Sequence, residues 1–121
     1  MSNPETAVSP MSTEGVLRNH LRAARMGVDA VMQDYTDGSV LITHDATYCG
    51  LAEIRRFFSA LFNELPAGFF DAMELNRQEI IGEVAYILWE RKPIIFQATD
   101  TFVVRNGKIL FQTFTTARSD E

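Results

Sequence analysis

Residues 82–117 read GEVAYILWERKPIIFQATDTFVVRNGKILFQTFTTA. The runs of β-branched and aromatic residues, broken at Lys92-Pro93 and Asn106-Gly107, predict three long antiparallel strands. Asn-Gly between two such runs marks a type I′ hairpin, because both central positions need φ > 0. That turn sets a register. If Arg105 faces Lys108, then Val104 faces Ile109, Phe102 faces Phe111 and Asp100 faces Thr113. Alternation puts Ile94, Phe96, Ala98, Asp100, Phe102 and Val104 on one face, where Asp100 is the only charge. A carboxylate in such a row must be neutral, paired or in a wet pocket, since burying it bare is prohibitive.

The 121 residues suit one domain with a real core and are too few for two of ordinary size. No apolar run approaches the length that spans a bilayer, so no membrane partner is expected. A net charge of −5 with only two lysines argues against nucleic acid, whose nonspecific affinity comes from clustered Lys and Arg. Cys49 is alone, which rules out an internal disulfide. With no zinc cluster and two well-separated histidines, neither a metal nor a cofactor is expected. No signal-peptide pattern opens the chain, so a cytoplasmic location is the default expectation.

Met1 to about Ser12 carries no periodic apolar pattern and is expected to be a mobile tail, with the domain at residues 13–118. Val16, Leu17, His20, Leu21 and Ala24 recur at helical spacing, with Thr13 as the expected N-cap and Glu14 in the first turn. Gly27 breaks this helix, and Val28, Val31, Met32 and Tyr35 predict a second short one that Asp37-Gly38 ends. Ser39 to His44 predicts a strand and Asp45 to Gly50 a short return. Leu51, Ile54, Phe58, Leu61, Phe62 and Leu65 form the clearest amphipathic stripe, stopped by Pro66 and Gly68. Phe69 to Ile81 then predicts one long, partly exposed or strongly curved strand.

Helix, short helix, strand pair, long helix and four antiparallel strands describe an α+β roll, a cone-shaped barrel whose curved antiparallel sheet is closed by helices. On the stretches DAVMQDYTDGSV, YCGLAEIRRFF and ATDTFVVRNGKI, over about Thr13 to Ala117, the chain resembles the nuclear transport factor two-like superfamily. Within it, the SnoaL-like and ketosteroid isomerase-like branch is the most similar, with a cystatin-like roll. The resemblance implies that Asp100 falls on the pocket aspartate and His20 on a pocket tyrosine that shares the oxyanion site. The isomerases' proton-abstracting aspartate falls on Thr43, with His44 and Asp45 directly following. An epoxide hydrolase-like branch needs an Arg and an Asp two apart on the preceding strand, and Arg91 is followed here by Lys92 and Pro93.

The candidate catalytic residues are therefore Asp100, His20 and His44. Candidate ligand contacts are Thr43, Asp45, Phe57, Phe62, Phe96, Phe102, Phe111 and Thr113. An apolar wall with one or two polar groups suits a small uncharged molecule. Two function classes follow: a cofactor-independent isomerase, cyclase or dehydratase acting on a small apolar carbonyl compound, or a noncatalytic binding or dimeric interaction domain. His44 and Asp45 are adjacent on a strand, so at most one of them faces a cavity. Cys49 before a helix reads as a small hydrophobe rather than a reactive thiol. On the outer face of the terminal hairpin, Val103, Leu110 and Phe114 stand among Gln97, Thr99, Thr101 and Gln112, an apolar patch that predicts a two-fold homodimer.

Overall fold

The computed structural model describes residues 8–118 of the chain. Helices α1 (Thr13–Ala23) and α2 (Val28–Met32) lead into strands β1 (Val40–Thr43) and β2 (Thr47–Cys49), followed by α3 (Gly50–Glu64). After a 3-10 turn at Phe69–Ala72 come four long strands, β3 (Glu74–Ile81), β4 (Val84–Arg91), β5 (Ile95–Arg105) and β6 (Lys108–Arg118). The class is α+β, and the six strands form a curved, unclosed sheet in the order β2-β1-β6-β5-β4-β3. The sheet is mixed rather than wholly antiparallel, because β1 returns beside β6 in parallel after the long excursion through α3 and β3 to β5.

The core lies between the helices and the sheet's inner face. Val16 and Leu17 of α1, Ile54 and Phe58 of α3, and Ala85, Ile87, Ala98, Phe102 and Val104 of the strands are all buried. Each large apolar side chain so placed contributes about 1.5–3 kcal/mol before ordering entropy is counted. The stretch from Phe69 does not continue as strand. Gly68, at φ 74, bends the chain into the 3-10 turn, and Phe69 becomes buried in the core instead of lying along a sheet edge. Arg91 Nε donates to the Phe69 carbonyl at 2.7 Å, which fixes that turn against β4.

The Asn106-Gly107 turn forms with positive φ at both residues, and Arg105 faces Lys108 and Val104 faces Ile109. One residue further the expected register fails. Leu110 is a bulge, so Val103 faces Phe111, Phe102 faces Gln112, Thr101 faces Thr113 and Asp100 faces Phe114. Three apolar residues in succession, Ile109, Leu110 and Phe111, cannot all face a core, and the bulge turns Phe111 outward, where it is 44% exposed. A second irregularity between Ile95 and Gln97 makes Ile95 the buried residue and leaves Phe96 51% exposed. Alternation from Asp100 therefore holds from Ala98 to Val104 and not beyond.

At the start of the domain, Ser12 rather than Thr13 is the N-cap: its Oγ accepts from the Gly15 amide at 3.0 Å and donates to the Ser9 carbonyl at 2.7 Å. Thr13 instead donates its hydroxyl to the Gly82 carbonyl at 2.7 Å, tying α1 to the β3–β4 turn. Of the expected tail, residues 1–7 lie outside the described residues, whereas Ser9 to Ser12 form a turn. A Cβ on Gly15 would lie 1.9 Å from the Ser9 carbonyl oxygen. Replacing a helical Gly by Ala ordinarily stabilises by about 1 kcal/mol. Gly15→Ala is expected to lower the thermal midpoint, the opposite sign, because the Ser9–Ser12 turn must give way; a raised midpoint in a calorimetric scan would show that the turn carries no stability.

Candidate functional site

The loop from α2 to β1 aligns three buried polar groups at once. The Ile109 amide donates to the Asp34 carbonyl at 2.8 Å, and Ser39 Oγ donates to the Ile109 carbonyl at 2.6 Å. The loop is thereby tied to β6 immediately before the bulge. It delivers two side chains inward, Asp34 and Tyr35, both buried.

Tyr35 donates its hydroxyl to Gln112 Oε1, which leaves the Gln112 amide nitrogen to donate to Asp100 Oδ1 at 2.9 Å. Trp89 Nε1 donates to Asp100 Oδ2 at 2.8 Å. Both carboxyl oxygens are therefore satisfied by neighbours on β4 and β6, and Thr113, the expected partner, points outward. Burial is the largest influence on Asp100 and raises its pKa to about 6, against the opposing pull of the Trp89 and Gln112 donors and the His20 charge. Tyr35 is pushed well above its ordinary value by burial and then by the charges of Asp100 and Asp34, so it stays a neutral donor.

On the other wall, His20 Nδ1 lies 3.0 Å from Asp34 Oδ2, and Asn19 Nδ2 donates to Asp34 Oδ1 at 3.0 Å. The imidazole packs edge-on against Phe102, with centroids 5.3 Å apart. His20, Asp100 and Gln112 meet at a cavity of about 60 Å³ between α1, α3 and the sheet, whose remaining wall is almost wholly apolar. Phe57, Phe62 and Phe102 line it, together with Phe58, Trp89 and Phe114.

The other expected contacts lie elsewhere. Phe96, Phe111 and Thr113 face away from the cavity, for the two register reasons given above. Thr43, His44 and Asp45 line a separate groove of about 410 Å³ between α3 and the β1–β2 hairpin. Thr43 Oγ1 accepts from the amides of Asp45 and Ala46 and so closes that hairpin. His44 and Asp45 are exposed, 3.5 Å apart. The convergence of His44 with His20 and Asp100 on one cavity, expected from the sequence, does not occur. Cys49 is exposed at the start of α3 rather than acting as a buried hydrophobe. Among the described residues no group of three His, Cys, Asp or Glu side chains could hold a metal, and no helix is long and apolar enough to cross a membrane.

No family model matches the chain, and no curated protein matches its sequence. Solved structures do match in shape. A SnoaL-like protein of unknown function from Burkholderia thailandensis superposes with a TM-score of 0.70 at 13% identity, over 87% of this chain and 93% of the other. A nuclear transport factor two-like protein of unknown function from Burkholderia xenovorans gives 0.67 at 18% identity, over 87% and 82%. The fold is that of the nuclear transport factor two-like proteins. TerC, co-crystallised with polyporic acid, gives 0.69 at 12% identity, over 90% and 92%. At such identities the likeness is one of fold. Within the nuclear transport factor two-like fold, three participants here escaped the sequence: Trp89, Gln112 and Asp34. The succession Ile109-Leu110-Phe111 was the signal for the bulge that turns Gln112 inward.

Because Asp100 keeps its proton in the folded state after the unfolded chain has lost it, folding stability falls as pH rises from 3.8 toward 6. Below that window neither state bears the cost, and above it the cost is complete. Unfolding titrations of wild type and Asp100→Asn at pH 4 and pH 7 should differ in their pH dependence by about 2 kcal/mol, the wild type losing more on going to pH 7. Parallel profiles would place the Asp100 pKa near its ordinary value.

Proposed function

We propose that the chain is a small-molecule pocket protein, whose ligand is a short uncharged carbonyl compound bound with its oxygen at Asp100. The observation that supports this is the segregation of polarity in the cavity: a few fixed polar groups, His20, Asp100 and Gln112, in a shell of aromatic and aliphatic side chains. Below about pH 6, where it keeps its proton, Asp100 donates a hydrogen bond to a carbonyl or enolate oxygen while still accepting from Trp89 and Gln112, so the affinity is expected to fall as pH rises through 6. The size of the cavity narrows the ligand. At about 60 Å³ it falls well below the roughly 150 Å³ that admits benzene, so even a short ketone requires the Phe57 and Phe62 wall to move, and flat polycyclic compounds require a larger opening. The shape shared with SnoaL-like proteins and with TerC agrees with a ligand pocket.

Carboxyl-carbon NMR of Asp100 tests this. Butanone is expected to shift the Asp100 resonance and to bind Asp100→Asn within a few-fold of wild type, while Asp100→Leu loses the affinity. A resonance indifferent to every short ketone tried means that the carboxyl is only a structural member of the Trp89–Gln112 network, and the noncatalytic interaction-domain reading takes its place.

The same proposal includes a two-fold homodimer through the outer sheet face. The bulge changes which residues form that face: Gln112 is buried and Phe114 lines the cavity, but Ile81, Val84, Val103, Phe111 and Val40 now stand in one cross-strand row over five strands. Its neighbours Thr101, Thr113 and Ile42 are uncharged, and Glu79, at the β3 end of their row, is paired with Arg77 at 3.3 Å, so a two-fold axis near β5 and β6 brings no unpaired charge to the middle of the face. Light scattering should give a dimer for wild type at micromolar concentration and a monomer for Phe111→Glu. A wild-type monomer sinks the idea.

A further inference from the structure

The cavity and the groove beside it share a wall. Phe57 and Leu61 of α3 and Phe114 of β6 line both the space of about 60 Å³ that holds Asp100 and the groove of about 410 Å³ between α3 and the β1–β2 hairpin. Phe114 faces Asp100 directly across β5 and β6, and its ring lies 6.4 Å from that of Phe57. Between the carboxyl group and the groove there stand only one cross-strand neighbour and one further aromatic ring. Of the two rings that must give way for a ketone to enter, Phe57 is the one placed to yield. It is half-buried, and its neighbour on the groove side is Tyr48, with centroids 5.0 Å apart, carried by β2, an edge strand of three residues. Phe62 is held differently. It separates the cavity from a pocket of about 160 Å³ at the end of α3, packs against Phe70 at 5.7 Å, and Phe70 packs against Trp89 at 6.1 Å. The turn that carries Phe70 is pinned to β4 by Arg91, and the aromatic row ends at the indole that holds Asp100. Phe57 stands outside that row.

We infer that Phe57 sets the length of ligand that the pocket accepts: it is the partition on which the alkyl chain of a ketone held at Asp100 ends, and the groove behind it is a ready extension of the site. The inference rests on the pocket proposed above and adds the direction in which the ligand lies and the residue that limits it. A shift of the Phe57 ring toward the groove admits a short ketone, and the ring itself then closes the far end of the site. The groove has room for a longer chain, since its volume exceeds the roughly 150 Å³ that admits benzene. Next to the partition its floor is apolar, formed by Leu61 and Phe114, whereas its ionisable groups, His44, Asp45, Arg56 and Glu64, are exposed. A neutral chain lying on that floor gains burial and leaves the charges in water.

Butanone and hexan-2-one are the probes, titrated at pH 5, below the Asp100 pKa of about 6, with the Asp100 carboxyl-carbon resonance as the readout. Wild type is expected to bind hexan-2-one no more tightly than butanone, because the two added methylenes meet the Phe57 ring. Phe57→Ala should bind hexan-2-one about fifteenfold more tightly than butanone, at about fourfold for each methylene moved out of water. Phe57→Leu, which keeps α3 apolar should the alanine variant fail to fold, is expected to show a smaller preference of the same sign. In Phe57→Ala the terminal methyl of hexan-2-one should give an NOE to the Thr116 methyl, which belongs to the groove, and not to Ala67 of the pocket behind Phe62. A response to hexan-2-one in the variants alone is the same result in its strongest form. If wild type already prefers hexan-2-one by the same margin, if both variants keep the wild-type ratio, or if the NOE falls on Ala67 and not on Thr116, Phe57 is not the partition, while the butanone response keeps the pocket. If neither ketone shifts Asp100 in wild type or in the variants, the pocket and the partition are both wrong.

Discussion

Asp100 is a carboxyl group with no solvent to turn to, and much of the structure around it consists of the means to keep it there. Burial of an unpaired carboxylate would exceed the net stability of a domain of this size. Three strands and a loop cooperate to avoid that: β5 supplies the group, β4 the Trp89 indole, β6 the Gln112 amide, and the loop before β1 supplies Tyr35, which orients that amide. Gln112 can donate to Asp100 only if its own carbonyl is satisfied elsewhere, so Tyr35 acts on the carboxyl at one remove. Even so, the two donors do not fully offset the cost of desolvation, and the group remains a weaker acid than an exposed aspartate.

The two walls of the cavity are built on different principles. The Asp100 wall is made from side chains that meet across strands, where spacing is set by the sheet. The His20 wall is made from α1 and a loop, and its order depends on backbone bonds: Asp34 offers its carbonyl to β6 and its carboxylate to α1, joining helix and sheet within one residue. Rigid support of this sort, rather than the bare presence of a histidine, distinguishes a positioned imidazole from one that merely fills space. The aromatic shell between the walls keeps the dielectric low, so the hydrogen bonds that hold Asp34 and Asp100 are stronger than the same bonds would be in water.

Legibility in the sequence followed the physics of each signal. Helical stripes such as Ile54-Phe58-Leu61-Phe62 and the Asn106-Gly107 turn are local, and the elements they predict are present. Asp100 stood out because one charge in an apolar row is a contradiction that only a special environment resolves. Its partners were not legible for the same reason that Phe96 and Phe111 were misplaced. Bulges add one residue to one strand, and alternation carries no memory of the addition once the chain has passed it. Asp34 was hidden differently. A polar residue just past a short helix looks like solvent-facing turn chemistry, and only the tertiary contact with Asn19 and His20 gives it a buried role. The Phe69-Phe70 pair passed for strand because aromatic residues favour strands, and a left-handed Gly68 overrode that preference.

Leu110 itself is not among the residues that line the cavity, yet the chemistry of the cavity depends on its being an extra residue. On an uninterrupted hairpin closed by Asn106-Gly107, positions 100 and 112 fall on opposite faces, so an aspartate and a glutamine at those places could never share an interior. Copying the polar side chains onto a regular scaffold would therefore carry over their identities and lose their meeting. A substitution at 110 keeps the residue count of β6, whereas a deletion there would return Gln112 to the outer face.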